Sequence, residues 1–340
     1  MGGLTGEANR LSDAVEAAAG KLATASDVTL LGHVNPDADA LGSALALGRA
    51  LHRRGATVRV SFGHPEETPR SLRELDVDGL VVPASEVPAV PPVLVACDSG
   101  SVERLGSLSD RVDASIAAGG DVIVVDHHEG NTCYGTVRVV DETAEATVLI
   151  VLRLLDELGA ELDLPIARCL YAGLVTDTRS FRYVRPETHR VAERLLAAGV
   201  DPDATTRKLM DTHPFGFLGM LSSVLGGAEL EPDQAQGLGF VHATVRREQY
   251  EGLQNEDLDS VIDIIRTADE AEVAAVLKEI ETDHWSVSLR ADSRVHVGHV
   301  ATACGGGGHR LAAGFTARGD EESILAAIRK ALEAAPLLDG

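Results

Sequence analysis

The sequence predicts an α/β protein of two domains, the first built on a parallel sheet with helices on its faces. Three observations lead there. Short apolar runs alternate with helical periodicities through the first part of the chain, the pattern of strands separated by covering helices. At 340 residues the chain exceeds what one hydrophobic core usually serves. Past residue 228 the character changes to strands of another kind, one of which alternates apolar and polar residues.

Leu11, Val15, Ala18 and Leu22 recur at helical spacing, so residues 11–25 are expected to form an amphipathic helix leading into an apolar strand, Val28–Leu31. Gly32-His33-Val34-Asn35-Pro36-Asp37-Ala38-Asp39 then reads as a loop, kept open because Pro36 holds Asn35 out of the helical region. A helix from about Leu41 stops at Arg53-Arg54-Gly55, and Val58–Val60 is the next strand. Pro88 to Pro92 mark a loop before a central strand, Val93–Cys97, which ends in Asp98. Asp121–Val125 repeats that design and ends in Asp126-His127-His128.

Residues 143–158 and 165–175 are expected helices, the second running into Asp177. A further helix over 187–198 closes at Gly199, and Asp201-Pro202-Asp203 opens a polar connecting region. The domain boundary is expected between about 205 and 228. In the second half, Leu238–Val241, Val273–Leu277 and Trp285–Arg290 read as strands, the last two joined as a hairpin at Thr282-Asp283. The run Gly305-Gly306-Gly307-Gly308-His309 follows.

The formal charge of -23 argues against a wide basic surface for duplex DNA, but it leaves room for a local pocket that grips a short anion. Cys97, Cys133, Cys169 and Cys304 form no Cys-x-x-Cys pair, which suits reduced thiols better than a zinc site or a disulfide frame. With no basic-then-apolar start and no run of 18 apolar residues, a cytoplasmic location and no membrane association are expected.

Ligands of open α/β sheets bind at the carboxyl ends of the strands, so segments ending in Asp or His converge on one place. The set is His33, Asp37, Asp39, Asp98, His127 and Asp177. Any one of these acids alone suits a helix cap or a turn. Together they suit a metal site, because four carboxylates balance two divalent cations, and oxygen ligands with two imidazoles suit manganese, magnesium or iron. Manganese is the expected metal, with magnesium or cobalt as alternatives. Asp37 and Asp39, two residues apart in an extended loop, would lean to different sides, one toward each ion, with Asp98 between the ions as a bridge. Two ions about 4 Å apart generate a hydroxide and clamp an in-line phosphoryl displacement. His128 would meet the substrate or protonate the leaving oxygen, and Asp126 would orient an imidazole. Gly306, Gly307 and Gly308, with His309 and Arg290, would cradle and pair with phosphate oxygens. His52, His64, His242, His284, His296 and His299 read as surface or helix residues.

The chain resembles the DHH/DHHA1 phosphoesterases through His33-Val34-Asn35-Pro36-Asp37-Ala38-Asp39, Asp98, Asp126-His127-His128, Asp177 and Gly305 to His309, in that order. Within them it is most similar to the bifunctional oligoribonuclease and pAp phosphatase group. The resemblance implies an N-terminal DHH domain over 1–205, a linker over 206–228 and a smaller α/β DHHA1 domain over 229–340, with the active site in the cleft between the domains. It also implies a manganese pair, one ion held by His33, Asp37 and Asp98, the other by Asp39, Asp98, His127 and Asp177. His128 would face the substrate, while Arg290, His309 and the glycine loop would hold its phosphate end and so measure a short chain. The implied substrates are short RNA, pAp, pApA and cyclic-di-AMP, and the implied assembly is a homodimer.

Two positions depart from the family pattern. Arg179 stands where the motif after Asp177 commonly has glycine, and Ala291 follows Arg290 where a hydroxyl residue is common. A manganese inorganic pyrophosphatase of the same superfamily shares the first motif but lacks the glycine-rich motif at His309. A larger single-strand exonuclease would need more nucleic-acid surface, and a catalytically silent nucleotide sensor would be expected to have lost some of the ligands.

Overall fold

The computed structural model describes residues 2–338, and the chain divides into two compact units between Thr212 and His213. The first unit opens with helix α1 (Gly2–Thr24), then alternates strand β1 (Asp27–Leu31), helix α2 (Ala38–Arg53), and strands β2 (Thr57–Ser61) and β3 (Val93–Cys97). Helix α3 (Asp110–Ala117), strands β4 (Asp121–Asp126) and β5 (Val137–Val140), and helices α4 (Thr147–Glu157), α5 (Leu164–Asp177), α6 (Pro186–Ala197) and α7 (Pro202–Met210) complete it. All five strands are parallel, in the order β2-β1-β3-β4-β5. Leu30, Val95 and Ile123 are fully buried because helices cover both faces, which is why these strands read as unbroken apolar runs. The chain moves outward from β1 to β2 and then returns to the other side of β1, so β1 and β3 flank the point where the strand order reverses. The loops leaving them part there, which opens a crevice at their carboxyl ends.

Several boundaries differ from the sequence reading. Helix α2 begins at Ala38, not near Leu41, because the Asp37 carboxylate accepts the Asp39 and Ala40 amides at 3.1 and 2.9 Å and caps the helix. Asp39 therefore stands on the first turn of a helix instead of in an extended loop. Helix α4 begins at Thr147, not 143: Thr143 and Ala144 close a turn on Asp141, and Ala146 is extended. The polar stretch after Asp201 is helical, with Asp201 accepting the Ala204 amide as its cap and Pro202 in the first turn. The short strand β5 was not anticipated.

The second unit begins with helix α8 (Phe215–Gly226) and carries a six-stranded sheet of β6 (Glu229–Glu231), β7 (Phe240–Val245), β8 (Val273–Glu281), β9 (His284–Ala291), β10 (Gly307–Gly308) and β11 (Ala312–Arg318). The order is β10-β11-β9-β8-β7-β6, antiparallel except for β7 beside β8. Phe240, Trp285 and Leu289 on one face form a core with helices α9 (Val297–Ala303) and α10 (Glu321–Glu333). Val241 and Val276 on the other face pack with Phe217 and Met220 of α8. The hairpin turn at Thr282-Asp283 is as expected, with Asp283 at φ 55°.

Helices α2 and α5 run antiparallel at very close range. A Cβ on Gly42 would stand 2.5 Å from the Cys169 carbonyl oxygen, and one on Gly173 would stand 2.9 Å from the Asp39 Cα. These glycines let the backbones touch and so bring the start of α2 beside the end of α5. In an exposed helix, Gly→Ala stabilises by about 1 kcal/mol. We expect Gly42→Ala to have the opposite sign and to lower stability by about 1–3 kcal/mol, since overpacking forces the helices apart. Urea unfolding decides it: a midpoint at or above that of the parent protein would show that the close approach tolerates a methyl group.

Candidate active site

The acids and imidazoles arrive at the crevice on the ends of different elements. After β1, the turn carrying His33 is fixed by two long-range amide bonds, Val34 N–H to the Arg104 carbonyl (2.8 Å) and Asn35 N–H to the His64 carbonyl (2.7 Å), with Asn35 at φ 52°. His33 donates from Nδ1 to the Val34 carbonyl at 2.8 Å, which turns Nε2 toward Asp37 Oδ2 (3.6 Å) and Asp98 Oδ2 (3.4 Å). His127 repeats this logic after β4. Its Nδ1 donates to the Ala144 carbonyl at 3.1 Å, and its Nε2 faces Asp98 Oδ1 (3.6 Å) and Asp177 Oδ2 (3.4 Å). Asp98, buried and directly after β3, thus presents one oxygen to each imidazole.

The ligand-type atoms gather in overlapping groups, each within 4.8 Å: His33 with Asp37 and Asp98; Asp39 with His127 and Asp177; Asp98 with Asp126 and His128. Asp37 and Asp39 do go to different sides, because a helical turn separates them and not because of an extended loop. Asp177 comes from the end of a helix, α5, where the other late-chain acids follow strands. Asp39 is fully buried and takes the Thr147 and Val148 amides at 2.6 and 2.9 Å, so the amino end of α4 neutralises part of its charge. The Thr147 hydroxyl also donates to Asp98 Oδ1 at 2.7 Å. Asp126 is buried with both oxygens engaged, Oδ1 by His128 Nδ1 (2.7 Å) and Oδ2 by Asn131 Nδ2 (2.5 Å), which makes it an orienting group.

The sequence reading missed Thr147 and Asn131. A Thr just before the apolar run Val148-Leu149-Ile150 is a helix-start signal that was available. Asn131 lies in a turn whose purpose only the buried Asp126 reveals.

Four carboxylates at such separations repel, and their protonation shows it. Burial, with the nearby Asp98 and Asp37 charges, holds the Asp39 carboxyl well above its ordinary range. Burial and the charge of Asp39 do the same at Asp177. For Asp98, burial works in the same direction but is outweighed by the hydrogen bond from His33 and the charges of His128 and His127, so its pKa is lowered. Burial disfavours the charged form of His33, yet Asp37 and Asp98 push its pKa up to about 10. A site that keeps protons where negative charge would otherwise crowd fits divalent cations. Both imidazoles are fixed through Nδ1 with Nε2 turned inward, the carboxylates supply hard oxygen donors, and the surplus negative charge needs a counter-charge.

In the second unit, Arg290 lies on β9 opposite Ala312 of β11, and the His309 amide donates to the Ala312 carbonyl at 2.8 Å. Arg290 and His309 therefore stand on opposite sides of β11, each opposite Ala312. Gly307 and Gly308 of the glycine run form β10, held close to β11. A Cβ on Gly306 would meet the Gly314 carbonyl at 2.2 Å, and Gly308, at φ 141°, has the Ala313 Cα 2.5 Å from where its Cβ would be.

Residues 27–174 match the DHH family, N-terminal domain, and residues 237–334 match the DHHA1 domain. The chain belongs to the DHH family. Thermus thermophilus has a relative, the bifunctional oligoribonuclease and PAP phosphatase NrnA, that is 33% identical over 90% of each chain. The Bacillus subtilis protein of the same name is 28% identical over 44% of this chain and 46% of its own. A solved exopolyphosphatase-related protein from Bacteroides fragilis, 22% identical, has the same fold with a TM-score of 0.84 over 95% of this chain and 96% of that one. Of the DHH-family residues described above, Asp177 lies just beyond the matched N-terminal domain, at the end of α5.

Cation binding must displace the protons that His33, Asp39 and Asp177 hold. All three pKa values are raised, so the apparent affinity for a divalent cation should climb with pH up to about 10, the value to which His33 is pushed, with proton release. Calorimetric titration of chelator-treated protein in two buffers of different ionisation enthalpy measures this. Equal heats in both buffers, with affinity flat across pH, would mean that the cluster is already deprotonated.

Proposed function

We propose that this phosphoester hydrolase cleaves short oligoribonucleotides and removes the 3'-phosphate of pAp, using two divalent cations, with manganese the expected metal. Linear pApA and cyclic-di-AMP belong to the same substrate class. The observation that carries the reading is Asp98, buried between His33 and His127 with one oxygen toward each. In this reading His33, Asp37 and Asp98 hold one cation, and Asp39, Asp98, His127 and Asp177 the other. When bound, the pair supplies Lewis-acid charge to phosphoryl oxygens and acidifies water.

The chain's own groups do the rest. Asp126 takes the Nδ1 proton side of His128, which leaves Nε2 to deliver a proton to the leaving oxygen, and Asn131 keeps Asp126 in place. Burial works against a charged His128, but the bond from Asp126 and the charge of Asp98 raise its pKa, which suits a general acid. Arg290, His309 and the exposed backbone of Gly306, Gly307 and Gly308 bind the phosphate end. The chain's charge of -23 favours such a local grip over tracking a long polymer. Among the described residues no helix is long and apolar enough to cross a membrane, and a cytoplasmic homodimer completes the reading.

Purified protein with manganese should prefer pAp, pApA or RNA of about two to five nucleotides over pyrophosphate and over longer RNA, and EDTA should abolish turnover. Preference for pyrophosphate would replace the reading with a pyrophosphatase. Asp98→Ala should lower kcat by about a thousandfold or more while the far-ultraviolet spectrum stays unchanged. Turnover near that of the parent would remove its bridging role. Arg290→Ala should raise KM for short substrates with manganese content unaltered, and an unchanged KM would sink the clamp.

A further inference from the structure

We propose that Arg104 and Arg179 are phosphate-binding residues of the first unit, gripping a multiply phosphorylated nucleotide from two sides of the acidic cluster. The inference deepens the reading above and rests on it for the substrate class.

In a chain with 53 acidic and 30 basic residues a guanidinium readily finds a carboxylate: Arg185 pairs with Glu145, and Arg194 with Asp156. Arg104 and Arg179 are different. Among the described residues their side chains make no ion pair and no hydrogen bond, although Arg179 follows Asp177 by two residues and the Arg104 backbone is bonded to the turn that carries His33.

Arg104 is exposed and belongs to the segment after β3. Its carbonyl is stitched to the turn that carries His33, and the same segment runs against His128, where a Cβ on Gly100 would lie 3.4 Å from the His128 Cβ.

Arg179 leaves the end of α5 two residues after Asp177. Arg179, Ser180 and Phe181 take φ of 49°, 58° and 63° in succession, a left-handed conformation that costs each side-chain-bearing residue on the order of 1 kcal/mol or more. The turn is held by Ser180 N–H to the Val175 carbonyl (2.8 Å) and by Phe181, whose ring packs between Tyr171 and His189. The guanidinium rests 5.7 Å from the centre of the Tyr183 ring. A glycine would adopt this backbone without cost, so keeping an arginine there points to work for its charge.

The charge balance says what that work is. Four carboxylates with two divalent cations come to neutrality, so a substrate phosphate that does not react still needs positive charge from elsewhere. Guanidinium groups pair with phosphate oxygens bidentately. Arg104 lies on the His128 side and Arg179 on the Asp177 side, so the occupant carries a second phosphate besides the reacting one, as a nucleoside bisphosphate or a 5'-phosphorylated dinucleotide does.

The probe is an analogue of pAp with a non-hydrolysable 3'-phosphonate, titrated into manganese-loaded protein over a range of salt. We expect Arg104→Gln and Arg179→Gln each to weaken binding about tenfold or more and to flatten the dependence of log affinity on log salt by about 0.7, with manganese content unchanged. Arg179→Lys should keep the salt slope and lose part of the affinity. Unchanged affinity in either variant, or weaker binding with the parent slope, would overturn the inference for that arginine by showing no phosphate contact. No binding of the analogue by the parent protein would overturn it for both. Binding with these losses, but no turnover of pAp or short RNA by the parent, would instead refute the proposed reaction and leave the two contacts standing.

Discussion

Everything in the first unit answers to one constraint, the mutual repulsion of four carboxylates gathered at the carboxyl edge of a sheet. A carboxylate taken out of water is costly, and a second one nearby makes it costlier. The fold meets this charge piece by piece. The amino end of α4 meets Asp39, the first amides of α2 meet Asp37, the Thr147 hydroxyl meets Asp98, and two imidazoles fixed by backbone carbonyls stand between the acids. What remains is surplus negative charge with hard oxygen donors facing inward, which is what a divalent cation requires.

The parallel sheet was legible because buried strands write themselves as short apolar runs, and the acids that close β3 and β4 could be read as one site because they end those runs. Other parts were hidden for definite reasons. The start of α2 was misplaced because Asp37 serves both as cap and as site residue, and a cap looks like loop until its amides are seen. Strand β5 is four residues at a sheet edge, too short for any period to show. Asn131 sits in a turn that only the buried Asp126 explains, and Thr147, though it signals a helix start, shows its bond to Asp98 only once the chain is folded. Asp177 was legible as the acid into which an expected helix runs, and it does end α5.

Glycine has opposite uses in the two units. Between α2 and α5 it is buried and removes bulk so that helices can touch. Along β10 it lies exposed, with Gly306 and Gly308 pressed against β11 and Gly307 open, so the strand offers peptide groups without side chains in front of them. The first use fixes where acids stand; the second leaves backbone donors accessible beside Arg290 and His309.

The contact at Gly42 and Gly173 also divides the site into a rigid part and an adaptable one. Asp39 and Asp177 ride on helices whose backbones already touch, so their separation is inherited from packing and has no slack in the direction of approach. His33 and His127 ride on turns between elements, each ring held through Nδ1 by one backbone carbonyl. The helix-borne acids are therefore the fixed jaw of the cluster, against which any cation placed there would be sized.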